Sequence, residues 1–471
     1  MNLIFMISIL LKGVGAVLEI LLQITITRGI GVSGYGTYTT WINAADLIFW
    51  CLFSGIVKCN TFYLSGQQTS LRNFKHKYYI RYVIPATFCI CFAAWAGGRR
   101  EYLMIAVIAF VELLMLDRSS CLLAEGRYIS SLTGEYVLGR MFLLVSVFIL
   151  QQTGQFSLNV TILLYLIQYI LVVIFFILAS RKKRKQKLNK QVQHGEEKVS
   201  VRKLLQYQRA DIMQAMIGQM PVILQYVLAG AFEAGVVGIV LLIKKLINFI
   251  SGPAAKVFLP EFSRLYHKGD REGLRDSFSA IMRIQMIFAG LLAVVLTGYP
   301  EVVLKILAEE LIPYTSMFMG CSLIFIVAAR LGPCGGLMQM TGNERMDNRC
   351  REAAVLLMIL IFALMRKDPL FALYGLGVQT LAESVSKYIF VCRWLKKAPV
   401  GFYTYLKWWI LPAAAVGVSR FMHWQNSLVM MIAVAGIVFC IQLVMELKNE
   451  KGLRHMLQQR RSFYESEDTD D

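Results

Sequence analysis

At 471 residues, 57% hydrophobic and 17% charged, the chain is too apolar for a soluble globule, in which apolar residues make up roughly half. Its net charge of +19 lies beside apolar segments, which points to membrane topology and anionic lipid rather than to nucleic acid. About fourteen spans of about 20 residues would use most of the length and leave no room for a soluble domain.

The apolar segments run from Leu3 to Thr27, Tyr35 to Val57, Tyr79 to Gly97, Tyr102 to Leu123, Ser130 to Leu150 and Leu158 to Ala179. After a basic cluster they resume at Ile212 to Gly230, Val236 to Leu259, Ser277 to Gly298, Tyr314 to Leu331, Arg351 to Met365, Leu370 to Arg393, Tyr405 to Phe421 and Ser427 to Leu447. The segment at Arg351 to Met365 is the shortest, and without it the tail would lie outside. The first segment follows Met1 and Asn2 without a basic leader or a clear cleavage site, so it is expected to remain as a helix.

Lys and Arg fall almost entirely into every second gap, and cytoplasmic loops are the ones that keep them. The stretch Arg181 to Arg209 holds eleven, whereas the connections Gln151 to Ser157 and Ala231 to Gly235 hold none. Both termini are therefore expected in the cytoplasm of a multi-pass cell-membrane protein. The expected fold is an all-α polytopic bundle of about 14 transmembrane helices. It comprises a six-helix lobe (1–180), a basic linker (181–210), a second six-helix lobe (211–394), an additional helix pair (395–447) and a cytoplasmic tail (448–471).

Weak internal similarity supports the two lobes. Gly34-Tyr35-Gly36 opens the second span and its loop closes with Leu71-Arg72-Asn73; the eighth span opens near Gly238 and its loop closes with Leu274-Arg275-Asp276. Both lobes begin inside, which makes them parallel pseudo-repeats. The second-lobe counterpart of Tyr38 is Val240, so the symmetry is not strict.

No cofactor or metal site is indicated. The cysteines lie mostly inside apolar runs, Cys89 and Cys91 lack zinc-ligand spacing, and the five histidines are scattered. No nucleophile and base arrangement stands out, and no outer gap is long, so an enzyme is not expected.

Ionisable groups at membrane depth are costly, by about 2.5 to 3.5 kcal/mol each on insertion scales, and mark functional candidates. The basic ones are Lys12, Arg140, Lys244, Lys245 and Lys387, and the acidic ones Glu19, Asp46, Glu112 and Glu383. Lys12 and Glu19 share one helical face, seven residues apart. Glu383 and Lys387 are four apart in the order that favours an ion pair, the plainer role for that lysine. Glu19, Asp46 and Glu112 are candidates for exchanging H⁺ or binding Na⁺, or else for holding helices together. Pro221, Pro253 and Pro333, with Gly332, Gly335 and Gly336, are candidate bending points.

The stretch Thr27-Arg28-Gly29-Ile30-Gly31-Val32-Ser33-Gly34-Tyr35-Gly36-Thr37-Tyr38 resembles the first outer turn of the polysaccharide transporter family. These are lipid-linked oligosaccharide flippases of the multidrug/oligosaccharidyl-lipid/polysaccharide exporter superfamily. Pro260 to Glu272 is similar to that family's inner loop after the eighth span, and Gly342-Asn343-Glu344-Arg345 to its loop after the tenth.

The resemblance implies a flippase that moves polyprenyl-pyrophosphate-linked oligosaccharide by alternating access, for a surface polymer such as O-antigen, teichoic acid or capsule. For such a substrate, Lys12, Arg140, Lys244, Lys245 and Lys387 are the embedded cations expected to bind the pyrophosphate. Membrane lipid, H⁺ or Na⁺, and polysaccharide-assembly enzymes are the further partners it suggests. A drug/cation antiporter of the same superfamily and an integral-membrane glycan polymerase or ligase are the alternatives.

Overall fold

The computed structural model describes residues 3–57, 78–96, 100–125, 127–181, 201–248 and 262–447. Within them the chain is helical throughout, with fourteen long helices and no strand. The helical stretch Leu3–Leu52 is interrupted at Gly31 (φ 73, ψ 170), which divides it into α1 (3–30) and α2 (32–52). A glycine is required there because a side chain is strained at positive φ.

The following helices are α3 (79–96), α4 (Arg100–Ala124), α5 (Tyr128–Gln152), α6 (Leu158–Arg181), α7 (Val201–Leu228) and α8 (Ala231–Asn248). Then come α9 (Arg271–Gly298), α10 (Thr315–Arg330), α11 (Glu344–Met365), α12 (Phe371–Trp394), α13 (Phe402–Phe421) and α14 (Leu428–Leu447). A short helix, Cys334–Met340, continues α10 beyond a break. Helix α11 spans 22 residues, about 33 Å at 1.5 Å per residue, because it begins seven residues before the apolar run.

Among the described residues, six helical stretches are long and apolar enough by themselves to cross a bilayer: 10–52, Tyr128–Gln152, Leu158–Ser180, Arg271–Gly298, Glu309–Met340 and Leu428–Glu446. The other long helices carry more polar residues or are shorter. Polar groups on such helices are tolerated where they turn toward protein. The exposed side chains on α3, α5, α6, α11 and α14 are dominated by large apolar residues, among them Phe88, Phe148, Ile174, Leu356 and Ile432, as lipid-facing surfaces require.

The chain divides into two compact units, Met1–Gly238 and Ile239–Asp471. The boundary falls within α8. In the first unit, α2 packs on α7 and lies so close to α8 that a β-carbon on Gly36 would strike the Ala231 carbonyl, and one on Gly235 the Val32 carbonyl. Gly36 was read from sequence as part of a turn; the turn is at Gly31, and Gly36 instead allows two helix backbones to touch. Phe49, Phe53, Ile56, Tyr78, Val83 and Leu113 fill the space among α2, α3 and α4.

In the second unit a larger core joins α9, Cys334–Met340, α12 and α13 through Phe278, Met282, Leu337, Met338, Val391 and Trp408. Helix α14 docks on α9: Arg283 pairs with Glu446 at 3.3 Å, and the Gln442 side chain lies against Gly290. Pro221 is accommodated inside α7, and Pro253 lies outside the described residues. The break expected near Pro333 is present, with Gly332 at φ 83.

Candidate functional site

Three polar clusters, two in the first unit and one in the second, gather most of the candidates. In the first unit, α5 contains a π-helical turn, Thr133–Leu138, one turn before Arg140. Such turns recur at functional sites. Arg140 Nε donates to Glu19 Oε2 at 2.7 Å, and Arg140 also donates to the Tyr136 carbonyl. Gln23 donates to the other Glu19 oxygen at 2.8 Å. The Tyr136 ring takes both cations: the Lys12 ammonium lies 5.5 Å and the Arg140 guanidinium 5.3 Å from its centre, within cation–π range. Three of the candidates, Lys12, Glu19 and Arg140, thus meet around Tyr136. The approach of α1 to α5 depends on Gly15, where a β-carbon would strike the Tyr136 backbone.

Farther along in the same unit, Glu112 of α4 faces Asp46 of α2. Of two facing carboxyl groups, one can donate to the other only when it carries a proton, because two carboxylates offer acceptors and no donor. Glu112 is 5% exposed, and Tyr165 and Tyr169, hydroxyl to hydroxyl at 2.8 Å, lie near both acids. Tyr38 meets Tyr165 edge-on with ring centres 6.1 Å apart. The pair therefore sits in an aromatic enclosure between α2, α4 and α6.

In the second unit, Lys387 of α12 pairs with Glu383 at 2.6 Å and with Asp347 of α11 at 2.7 Å. Arg351 pairs with Asp347 at 3.3 Å and lies 3.9 Å from Glu383. Gln339 donates to Asp347, and Gln379 to Glu383. Two cations and two anions balance within this network, so Lys387 has the ion-pair role its spacing suggested.

Lys244 of α8 donates to the Thr380 hydroxyl at 2.7 Å and lies 5.6 Å from the centre of the Phe325 ring. Among the described residues no carboxylate is within salt-bridge distance of it. Lys245 is exposed.

Sequence reasoning counted too few embedded cations. Arg283 and Arg330 lie inside helices, and Arg330 is 0% exposed. Gly332 and Pro333 look like the end of a span, which puts Arg330 at its edge. The helix instead resumes at Cys334 and continues to Met340, which carries Arg330 inward by about ten residues. Asp347 and Arg351 were missed for the same reason, since α11 starts at Glu344. The usable signal was the spacing Asp347–Arg351, four residues apart and opposite in charge.

No protein-family model matches the sequence, nor does any curated protein match it by sequence. Solved structures do match in fold. The lipid II flippase MurJ in an inward-closed conformation is 11% identical with a TM-score of 0.67, over 94% of this chain and 98% of that one. An inward-facing multidrug resistance MATE transporter of the MOP superfamily is 12% identical with a TM-score of 0.54, over 82% of this chain and 98% of that one. A MOP superfamily transporter from Pyrococcus furiosus, described as having a binding pocket of reversed polarity, is 12% identical with a TM-score of 0.55, over 83% and 94%.

The fold is that of the MOP transporters. At these identities the likeness carries the architecture and leaves substrate and coupling to be argued from this chain's own residues. In that fold the three polar clusters lie among packed helices.

Proposed function

We propose that this protein flips a polyprenyl-pyrophosphate-linked oligosaccharide across the cell membrane by alternating access, for assembly of a surface polysaccharide. The observation that carries the reading is Lys244, a half-buried lysine on α8 whose ammonium donates to the neutral Thr380 hydroxyl. An ammonium without a carboxylate is available to an anionic headgroup, and in a low-dielectric setting such charge-assisted bonds are the strong ones. Lys245, beside it, is exposed.

Arg140, Lys12 and Lys387 would add donors, the first and last by exchanging an acidic partner for phosphate. The test is complementation of a flippase-deficient strain. Lys244→Ala with Lys245→Ala is expected to abolish growth rescue at normal protein levels. Full rescue would remove both lysines from the site and with them the main support for the reading.

A second reading, an ion-coupled antiporter, is favoured by a different observation, the Asp46–Glu112 pair. Two facing carboxyls in a tyrosine-lined enclosure form a place where a transported H⁺ can be held and released, and Glu19 beside Arg140 would be a further coupling candidate. Vesicles loaded with lipid-linked sugar separate the cases when the proton and sodium gradients are collapsed one at a time. Transport insensitive to both treatments excludes coupling through Asp46 and Glu112; drug export without lipid flipping supports the antiporter.

A further inference from the structure

Arg330 is the last residue of α10, fully buried, and among the described residues none of its three guanidinium nitrogens has a hydrogen-bond partner. The Trp409 ring of α13 covers its face, with the guanidinium carbon 3.8 Å from the ring centre. A ring stacked on that face satisfies no N–H, because the five donors of a guanidinium point outward in its plane. The in-plane edge is therefore a set of donors held ready with no acceptor, and no carboxylate among the described residues pairs with it.

The position of Arg330 explains the burial. From Thr315 the helix runs 16 residues, about 24 Å, and after the break about ten residues, or about 15 Å, separate Arg330 from Met340. In a hydrocarbon core of about 30 Å that is mid-depth. A helix broken at this depth, here by Gly332 and Pro333, is a recurring feature of binding sites in membrane transporters.

Gly332 touches Met282 and Phe278 of α9. One turn beyond Met282 on the same face of α9, Gln285 is also buried, and neither end of its amide has a partner. A helix C-terminus favours a nearby cation, but it accounts for the charge and not for the unused donors.

We propose that Arg330, stacked on Trp409, is a binding site for the phosphoryl group of a membrane lipid, separate from Lys12, Arg140, Lys244, Lys245 and Lys387. Guanidinium binds phosphate through two parallel N–H···O bonds, and since resting lipid phosphates stay outside the hydrocarbon core, the ligand would be a headgroup phosphate drawn in among the helices. The site is closed in this structure, so entry requires movement at the Gly332–Pro333 break or of α13, which contains Pro412 one turn from Trp409. The proposal concerns binding and does not depend on what is transported.

The test uses the full chain purified in detergent and titrated with a polyprenyl phosphate, and separately with inorganic phosphate. Bound ligand is counted by native mass spectrometry and ligand-dependent melting is recorded in parallel. Arg330→Met, which keeps the volume and removes the charge, is expected to weaken polyprenyl phosphate binding by about thirtyfold or more. Without ligand it is expected to melt no lower than the parent, since it removes an unsatisfied buried charge.

Arg330→Lys, which keeps the charge and loses the planar fork, is expected to bind about tenfold more weakly, and it is the deciding variant if Arg330→Met does not fold. If inorganic phosphate shows the same dependence on Arg330, the site accepts a free phosphoryl group as well. Unchanged binding of both ligands by the variants overturns the proposal. So does a large loss of ligand-free stability in Arg330→Met that Arg330→Lys restores without restoring binding.

Discussion

Lys387→Met gives the most direct measure of the network between α11 and α12. The wild-type network holds Lys387 and Arg351 against Asp347 and Glu383, a net charge of zero. Asp347 is 0% and Lys387 5% exposed. Removing the lysine leaves a net charge of −1, with Asp347 retaining only the 3.3 Å contact to Arg351 and the 2.9 Å bond from Gln339. Breaking one side of a buried pair costs about 3–5 kcal/mol, because the remaining charge stays desolvated.

In a unit the size of Ile239–Asp471 that corresponds to a melting-temperature fall on the order of 10 °C. Adding Asp347→Leu restores neutrality, leaving Arg351 with Glu383, and is expected to recover most of the loss. The assay is thermal denaturation of the detergent-solubilised protein, followed by size-exclusion chromatography of the three forms. A single variant that melts with the parent, or a double variant no better than the single, would refute the charge-balance reasoning. A stable double variant that fails to transport would show that Lys387 also acts on substrate.

Gly36→Val is expected to strike the Ala231 carbonyl and force α2 from α8, costing at least about 1–3 kcal/mol as overpacking does, with reduced protein level as the readout. Glu112→Gln keeps the size and a hydrogen-bonding group beside Asp46 without an exchangeable carboxyl proton; if the pair couples transport, flipping in vesicles loses its response to an imposed pH gradient while binding persists. Reporter fusions at Gln152 and Arg184 are expected outside and inside respectively, and the reverse result would overturn the assigned orientation.

Much of the fold was legible in the sequence because a bilayer imposes a strong one-dimensional rule. A span needs about 20 apolar residues, and the basic residues stay on one side. Hydropathy therefore located the fourteen helices, including the contested one before Met365, and charge spacing gave the Glu383–Lys387 pair. Break positions were legible too, since Gly332–Pro333 cannot continue a helix without interruption.

What the sequence did not contain was which residues from distant segments meet. Glu19 and Arg140 are 121 positions apart, Lys244 and Thr380 136. Tyr136 gathers two cations only because Gly15 lets α1 approach α5. Arg330 appeared to sit at a span edge until the helix was seen to resume beyond the break. Patterning along one chain is set by the contrast between water and lipid, which each residue meets on its own; pairing of buried charges is set by helix packing, which only the tertiary structure decides.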